Sequence, residues 1–281
     1  MLERELPHTQ TRLFVVIGDP IAHSNSPRMH NAAYHALGLS SVMVAAKVGS
    51  DSLRGAISGV RAFAIAGLAV TMPHKNSICE LIDRLDPIAR TIGAVNTVTN
   101  LDGVLTGHNT DWIGIQRPLE KRGSLSTRSV AVLGAGGAAQ AAVYACRMKG
   151  ATVTVFSRDA HKAHALATQH GTSWGTLDAS AQLSQFDIII NATPVGMGEL
   201  ADQSPLTISQ LHNRQIVFET IYHPRQTKLL SLAKQLGCDI VYGSEMFLEQ
   251  GAAQFEILTG VQAPRDVMLR ALGADTSDPL S

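Results

Sequence analysis

The sequence lacks an excess of either charge: across 281 residues, 23 lysines and arginines balance 23 aspartates and glutamates. No broad basic face follows from that balance, so neither nucleic acid nor a membrane surface is expected as a partner. Long apolar runs are missing too. The longest nearly uncharged stretch, 62–72, is interrupted by Gly67, followed by Pro73, and is too short to cross a bilayer. The opening MLERELPHTQTR is charged and has no apolar core, which predicts no secretory signal. Cysteine is scarce: Cys79, Cys146 and Cys238 are odd in number, far apart and without metal-ligand spacing. They read as reduced, mostly buried thiols of a cytoplasmic protein that binds no metal. Core material, by contrast, is ample. Hydrophobic residues make up 45% of the chain and the mean hydropathy is +0.08, while roughly 150 residues per domain predicts about two domains.

Short β-branched runs alternate with helical patterns from residue 13 onward. LFVVIG reads as a buried strand, and Ser26-Pro27 opens a helix with Ser26 as its N-cap and Gly38 as its stop. Met29, Ala32, Ala33, Ala36 and Leu37 form one apolar stripe along that helix. VMVAAKV and GLAVTM are strands, separated by a helix carrying Leu53, Ala56, Ile57 and Val60. Ile78, Leu81, Ile82 and Leu85 predict a further helix after Lys75. AVNTVTNLDGVLTG reads as two short strands turning at Asp102-Gly103, a pair suited to a type I′ turn. Near residue 112 the style changes. SVAVLGAGGAAQAAVYACRMKGATVTVFSR is strand, glycine turn, Ala-rich helix and strand. FDIIINATP and RQIVFETIY are later strands, QTKLLSLAKQLG is a helix, and CDIVYG follows before a purely helical end. The expectation is an α/β protein of two domains whose second part is a doubly wound parallel sheet.

Gly134, Gly136 and Gly137 sit between a strand and a helix, where glycine lets backbone N–H groups approach a pyrophosphate at the helix's positive end. The third fingerprint position is Ala139. The strand–turn–helix–strand context makes this a dinucleotide site. NAD sites carry an acid at the tip of the second strand, but here the strand ends Phe156-Ser157-Arg158. Arg158, and Lys162 one turn later, suit a 2′-phosphate and favour NADP. Asp159 beside them keeps NAD open as the alternative.

Polar clusters lie at strand ends and turns outside the dinucleotide part: Ser24-Asn25-Ser26, Thr71 to Lys75, Asn96-Thr97, Asn109-Thr110-Asp111, and Gln250 with Gln254. Singly each has a plain reading, Ser26 and Asp111 as helix caps, Lys75 as a solvated helix start. Jointly they fit redox at a secondary alcohol, which needs a proton shuttle and hydroxyl-binding groups. A lysine close to a carboxylate can serve as that shuttle.

HSNSP, VTMPHK, IGAVNT, GHNTD, GAGGA, NATPVGM and YGSEMFLEQGAAQFEILTG, in this order, closely resemble the shikimate/quinate dehydrogenase family over most of the chain. The resemblance implies a substrate-binding domain, 1–111 with 243–281, whose C-terminal helices return to it, and a Rossmann dinucleotide-binding domain, 112–242. It implies NADPH-dependent reduction of 3-dehydroshikimate to shikimate in the aromatic amino-acid (chorismate) pathway. Quinate or another ring acid, or a non-catalytic NADP-binding paralogue, are the alternatives. Ser24 and Ser26 would bind the substrate carboxylate; Thr71, Asn96, Tyr222, Gln250 and Gln254 would bind its hydroxyls or carboxylate. Lys75 and Asp111 would be the catalytic pair. Gly134, Ala135, Gly136, Gly137 and Ala138, then Ser157, Arg158 and Lys162, would hold the nucleotide. Asn191, Ala192, Thr193, Met197, Gly243 and Met246 would lie along the cofactor toward the nicotinamide. Two departures stand out. Ala69 replaces the usual Asn or Ser before VTxPxK, leaving the ring acid open, and Asp159 stands within the family's NRTxxR motif. Ser26, where glycine accompanies quinate use, points to shikimate. A monomer or homodimer acting on a small molecule is expected.

Overall fold

The computed structural model describes residues 7–178 and 182–273. It divides into two compact units, one running to Thr110 and resuming at Gln250, the other Asp111–Glu249. Each is built on its own six-stranded sheet.

The first unit contains β1 (Arg12–Gly18), α1 (Ser26–Ala36), β2 (Ser41–Lys47), α2 (Leu53–Ala62), β3 (Gly67–Val70), β4 (Arg84–Leu85), α3 (Pro87–Ile92), β5 (Thr97–Leu101) and β6 (Val104–His108). Its strand order is β2-β1-β3-β5-β6-β4. β1 is parallel to β2 and β3, whereas β5 is antiparallel to β3 and β6. β1 is buried on both faces, as its unbroken Phe-Val-Val-Ile run requires of a central strand. On one side Ile17, Leu68, Val70 and Val98 pack with Leu53, Ile57 and Val60 of α2, which recur at helical spacing. The Asp102-Gly103 turn forms as expected: Leu101 faces Val104, and φ is +52° and +84° at the two turn residues, the left-handed pair of a type I′ turn.

Two expectations need correction. Ser26 is the first residue of α1, not its cap, and Asn25 occupies the cap position. The reason is local: Ser24 Oγ already accepts the Ser26 N–H at 3.3 Å, so the turn closes one step earlier. The helix expected after Lys75 is a single 3-10 turn, Ser77–Glu80, followed by β4. Competing bonds to β6 win there: Asp83 N–H donates to Leu105 O, Asp86 N–H donates to Gly107 O, and the Asp83 carboxylate accepts Leu105 N–H at 2.7 Å. The missed α3 then begins beyond the aspartate, capped by Asp86, whose Oδ1 accepts Ala89 N–H at 2.6 Å.

The second unit contains α4 (Asp111–Glu120), β7 (Ser129–Leu133), α5 (Gly137–Met148), β8 (Thr152–Ser157), α6 (Ala160–His170), β9 (Ser173–Thr176), β10 (Ile188–Asn191), β11 (Ile216–Glu219), α7 (Lys228–Leu236) and β12 (Asp239–Val241). All its strand pairs are parallel, in the order β12-β11-β10-β7-β8-β9. The direction of winding reverses between β7 and β10, which opens a crevice at the carboxyl ends of the strands. α8 (Gly243–Thr259) runs through the boundary at Gln250, and α9 (Arg265–Ala271) packs on α1.

Candidate active site

In the first unit the carboxyl ends of β1, β3 and β6 and the amino end of β5 share one edge of the sheet. Ser24 and Ser26 follow β1, Thr71 and Lys75 follow β3, Asn96 precedes β5, and Thr110 follows β6. Asp19 N–H donates to Met72 O at 3.0 Å, joining the first two loops, and Val95 N–H donates to Lys75 O at 2.7 Å, fixing Lys75 one residue from Asn96. Asn96 is the hub. Its Nδ2 donates to Thr110 Oγ1 at 2.8 Å and to Gln250 Oε1 at 3.3 Å. Its Oδ1 accepts Thr97 Oγ1–H and Thr110 N–H, each at 2.8 Å. Gln254 Nε2 donates to Asn96 O at 3.0 Å and Thr97 Oγ1 at 2.9 Å.

The structure therefore brings Asn96, Gln250 and Gln254 together, and adds Thr97 and Thr110 as their partners. Buried amides held by several bonds keep one rotamer, which is what hydroxyl recognition requires. Sequence reasoning missed His30, wholly buried on α1 and packed against Phe255 of α8, with ring centroids 6.0 Å apart. Burial draws its pKa from 6.5 down to about 4, with Gln254 opposing. A histidine inside an apolar helix stripe was its only signal.

In the second unit Asp111 is buried as the first residue of α4, directly after the pinned Thr110. Tyr222 follows β11 and packs on Phe247, with ring centroids 4.4 Å apart. The glycine turn spans β7 and α5. Gly134 has φ +111°, and a Cβ there would lie 2.8 Å from Ala192 O beyond β10, so only glycine lets the two loops meet at the winding reversal. Gly136 caps α5, no side chain caps that helix, and a Cβ at Gly136 would meet only open space. A helix start left without a side-chain cap beside open space is a ready anion cradle. The residues fit the pyrophosphate of a dinucleotide.

At the tip of β8, Arg158 is exposed. Asp159 is the N-cap of α6: its carboxylate accepts Lys162 N–H at 3.1 Å, which holds the carboxyl below its ordinary range. Lys162 Nζ also lies 3.5 Å from Asp159, an exposed pair that solvent screens. Asn191, Ala192 and Thr193 follow β10, with Asn191 Oδ1 accepting Thr193 N–H at 3.0 Å and Thr193 Oγ1–H at 2.7 Å. Met197 lies farther along that loop, half-buried.

Gly243 and Met246 open α8, whose start is fixed by ion pairs. Arg122 donates to both oxygens of Glu245 at 3.0 Å, and Arg117 and Lys121 reach Glu249 at 3.2 and 3.1 Å. Those anchors went unread because their partners lie more than a hundred residues apart. Among the described residues no cluster of His, Cys, Asp and Glu could hold a metal ion.

A doubly wound parallel sheet with an uncapped glycine turn at its reversal defines a dinucleotide-binding protein, here joined to a second α/β unit with a polar strand edge. Residues 16–98 match the shikimate dehydrogenase substrate binding domain, 118–228 the shikimate/quinate 5-dehydrogenase family, and 243–272 the shikimate 5′-dehydrogenase C-terminal domain. The NADP(+) shikimate dehydrogenase of Bacillus anthracis is 39% identical over 274 residues, covering 93% of this chain and 99% of the relative. A crystal structure of a shikimate dehydrogenase in complex with NADP+ is similar at TM-score 0.89 and 35% identity, covering 98% of both chains. Another, from Thermus thermophilus in complex with NADP(H) and shikimate, gives TM-score 0.85 at 35% identity, covering 92% of this chain and 98% of that one. The chain belongs to the shikimate dehydrogenase family.

Proposed function

We propose that the protein catalyses the reversible NADPH-dependent reduction of 3-dehydroshikimate to shikimate, within aromatic amino-acid biosynthesis. The reading is carried by one observation: in a chain of this family, the uncapped start of α5 stands open at the winding reversal of the parallel sheet. The bound cofactor supplies the hydride. The chain supplies everything else. Gly134 to Ala138 hold the pyrophosphate on their N–H groups, with Ser157, Asn191, Ala192, Thr193, Met197, Gly243 and Met246 along the remainder. Arg158 binds the 2′-phosphate. Asp159 is compatible with that role because its carboxylate is engaged as the cap of α6.

Ser24 and Ser26 bind the substrate carboxylate, while Thr71, Asn96, Gln250, Gln254 and Tyr222 bind its hydroxyls or carboxylate. Lys75 Nζ gives a proton to the carbonyl oxygen under reduction and regains it in the reverse direction, with Asp111 orienting the ammonium. Ala69, the departure that left the ring acid open, faces Thr97 across the β3–β5 pair, and the Thr97 hydroxyl is already bonded to Asn96 and Gln254. No helix among the described residues is long and apolar enough to cross a membrane; a cytoplasmic monomer or homodimer is proposed.

The test is the initial rate of reduced-cofactor appearance with shikimate or quinate, each paired with NADP+ and NAD+. The reading predicts the highest kcat/KM for shikimate with NADP+. A higher value for quinate, or NADP binding without turnover, would replace it.

A further inference from the structure

One buried carboxylate has no part in the chemistry above, yet it joins two of the segments assigned to it and ties both to the start of α7. Glu219 ends β11 with no solvent exposure. Both of its oxygens accept Asn191 Nδ2–H, each at 3.0 Å. Oε1 also accepts Ile221 N–H at 3.1 Å, and Oε2 accepts Thr227 Oγ1–H at 3.0 Å. Asn191 is thereby turned so that its Oδ1 receives Thr193, and its Nδ2 also reaches Val195 O at 3.2 Å. Ile221, in turn, carries the carbonyl against which Gly243 of α8 is pressed.

We propose that Glu219 is a positioning residue: it locks the Asn191–Thr193 loop, the Ile221–Tyr222 segment and the start of α7 into one arrangement, and so shapes the nicotinamide end of the cofactor site. Burial opposes its charge and pushes the carboxyl up to about 7. A group merely filling space would be apolar, since burying a carboxylate is costly unless it is hydrogen-bonded. Every hydrogen bond named here is donated to it, which the ionised carboxylate satisfies and an amide does not, so the variants are compared at pH 8.5, above its titration.

This inference rests on the dehydrogenase reading, and the experiment separates the two. Wild type, Glu219→Gln and Glu219→Asp are compared as full chains. Affinity is measured for NADPH and for adenosine 2′,5′-bisphosphate, which carries no nicotinamide, together with kcat and KM for shikimate. Glu219→Gln is expected to bind NADPH about tenfold more weakly, as loss of a bond to a charged group does. Its affinity for the bisphosphate should be unchanged, and kcat should fall more than KM rises. Glu219→Asp, which keeps the charge, should recover part of both losses. Unchanged NADPH affinity overturns the proposal, and so does an equal loss for the bisphosphate, which marks general loosening of the unit.

If Glu219→Gln does not fold, Thr227→Ser and Thr227→Val are compared: Ser keeps both the hydroxyl donated to Glu219 and the cap on Leu230 N–H, whereas Val removes both, so Val should show the same split on a smaller scale and Ser should not; loss of affinity for both ligands alike, or for neither, in Thr227→Val overturns the proposal. Should the wild type bind NADPH but turn over neither ring acid, the dehydrogenase reading fails while the two affinities still decide the role of Glu219.

Discussion

Replacing His30 by leucine should remove an acid-sensitive part of the protein's stability. His30 is wholly buried, and its ring lies 6.0 Å from those of both Tyr34 and Phe255. Burial lowers its pKa from 6.5 to about 4. The unfolded chain regains the ordinary value. Above pH 6.5 both states hold a neutral ring, and the full stability is present. As pH falls through that value the unfolded state takes up a proton that the native state refuses, so stability declines until about pH 4 and then levels off. At about 1.4 kcal/mol per pH unit, the span from 6.5 to about 4 amounts to about 3 kcal/mol. That is a large fraction of the roughly 5–15 kcal/mol of an ordinary domain. The assay is urea unfolding of wild type and His30→Leu at pH 7.5 and pH 5. Other titrating groups are common to both proteins, so the difference between them isolates the ring. It should change by about 2 kcal/mol in favour of the variant on going to pH 5. Parallel curves would refute the reasoning and mean that the native state accommodates a charged ring.

Gly243→Ala would drive a methyl into the Ile221 carbonyl and to 2.8 Å from Tyr222 N. Both obstacles are backbone, so a loss of about 1–3 kcal/mol is expected in thermal unfolding; an unchanged Tm would show that α8 can move aside. Lys75→Ala should lower kcat by about 100-fold or more while leaving NADPH affinity intact, and a wild-type kcat would remove Lys75 from the mechanism. Arg158→Ala should weaken NADPH about tenfold or more and spare NADH, as read by fluorescence titration; equal losses would show that Arg158 does not read the 2′-phosphate.

The larger part of the fold is legible because its signals are local. Asp102-Gly103 dictates a turn by itself, and the apolar runs of β1, β7, β10 and β11 can only be buried strands. The failures share a cause. Ile78, Leu81, Ile82 and Leu85 have helical spacing, but Asp83 and Asp86 draw the backbone onto β6, a strand some twenty residues later. Among the described residues β9, Ser-Trp-Gly-Thr, pairs only with β8 at the sheet's edge, and so short a strand without an apolar pattern leaves nothing to read. Where a nonlocal partner decides, spacing misleads.

The same division governs the site. Residues proposed to act from strand ends, such as Thr71, Lys75 and Asn96, announce themselves as polar clusters interrupting apolar sequence. The contacts that hold side chains in place do not. Asn96 and Gln250 are 154 positions apart and meet only in the folded unit; Glu219 reads as one acid at the end of an apolar run until Asn191, Ile221 and Thr227 converge on it. Asp159 shows the converse. From sequence it competes with Arg158 for the ribose, whereas its carboxylate caps α6. An acid beside a phosphate site is thus no evidence against a phosphate when a helix start has prior claim on it. The cofactor preference proposed above turns on which neighbour each charge has, and that is a property of the fold.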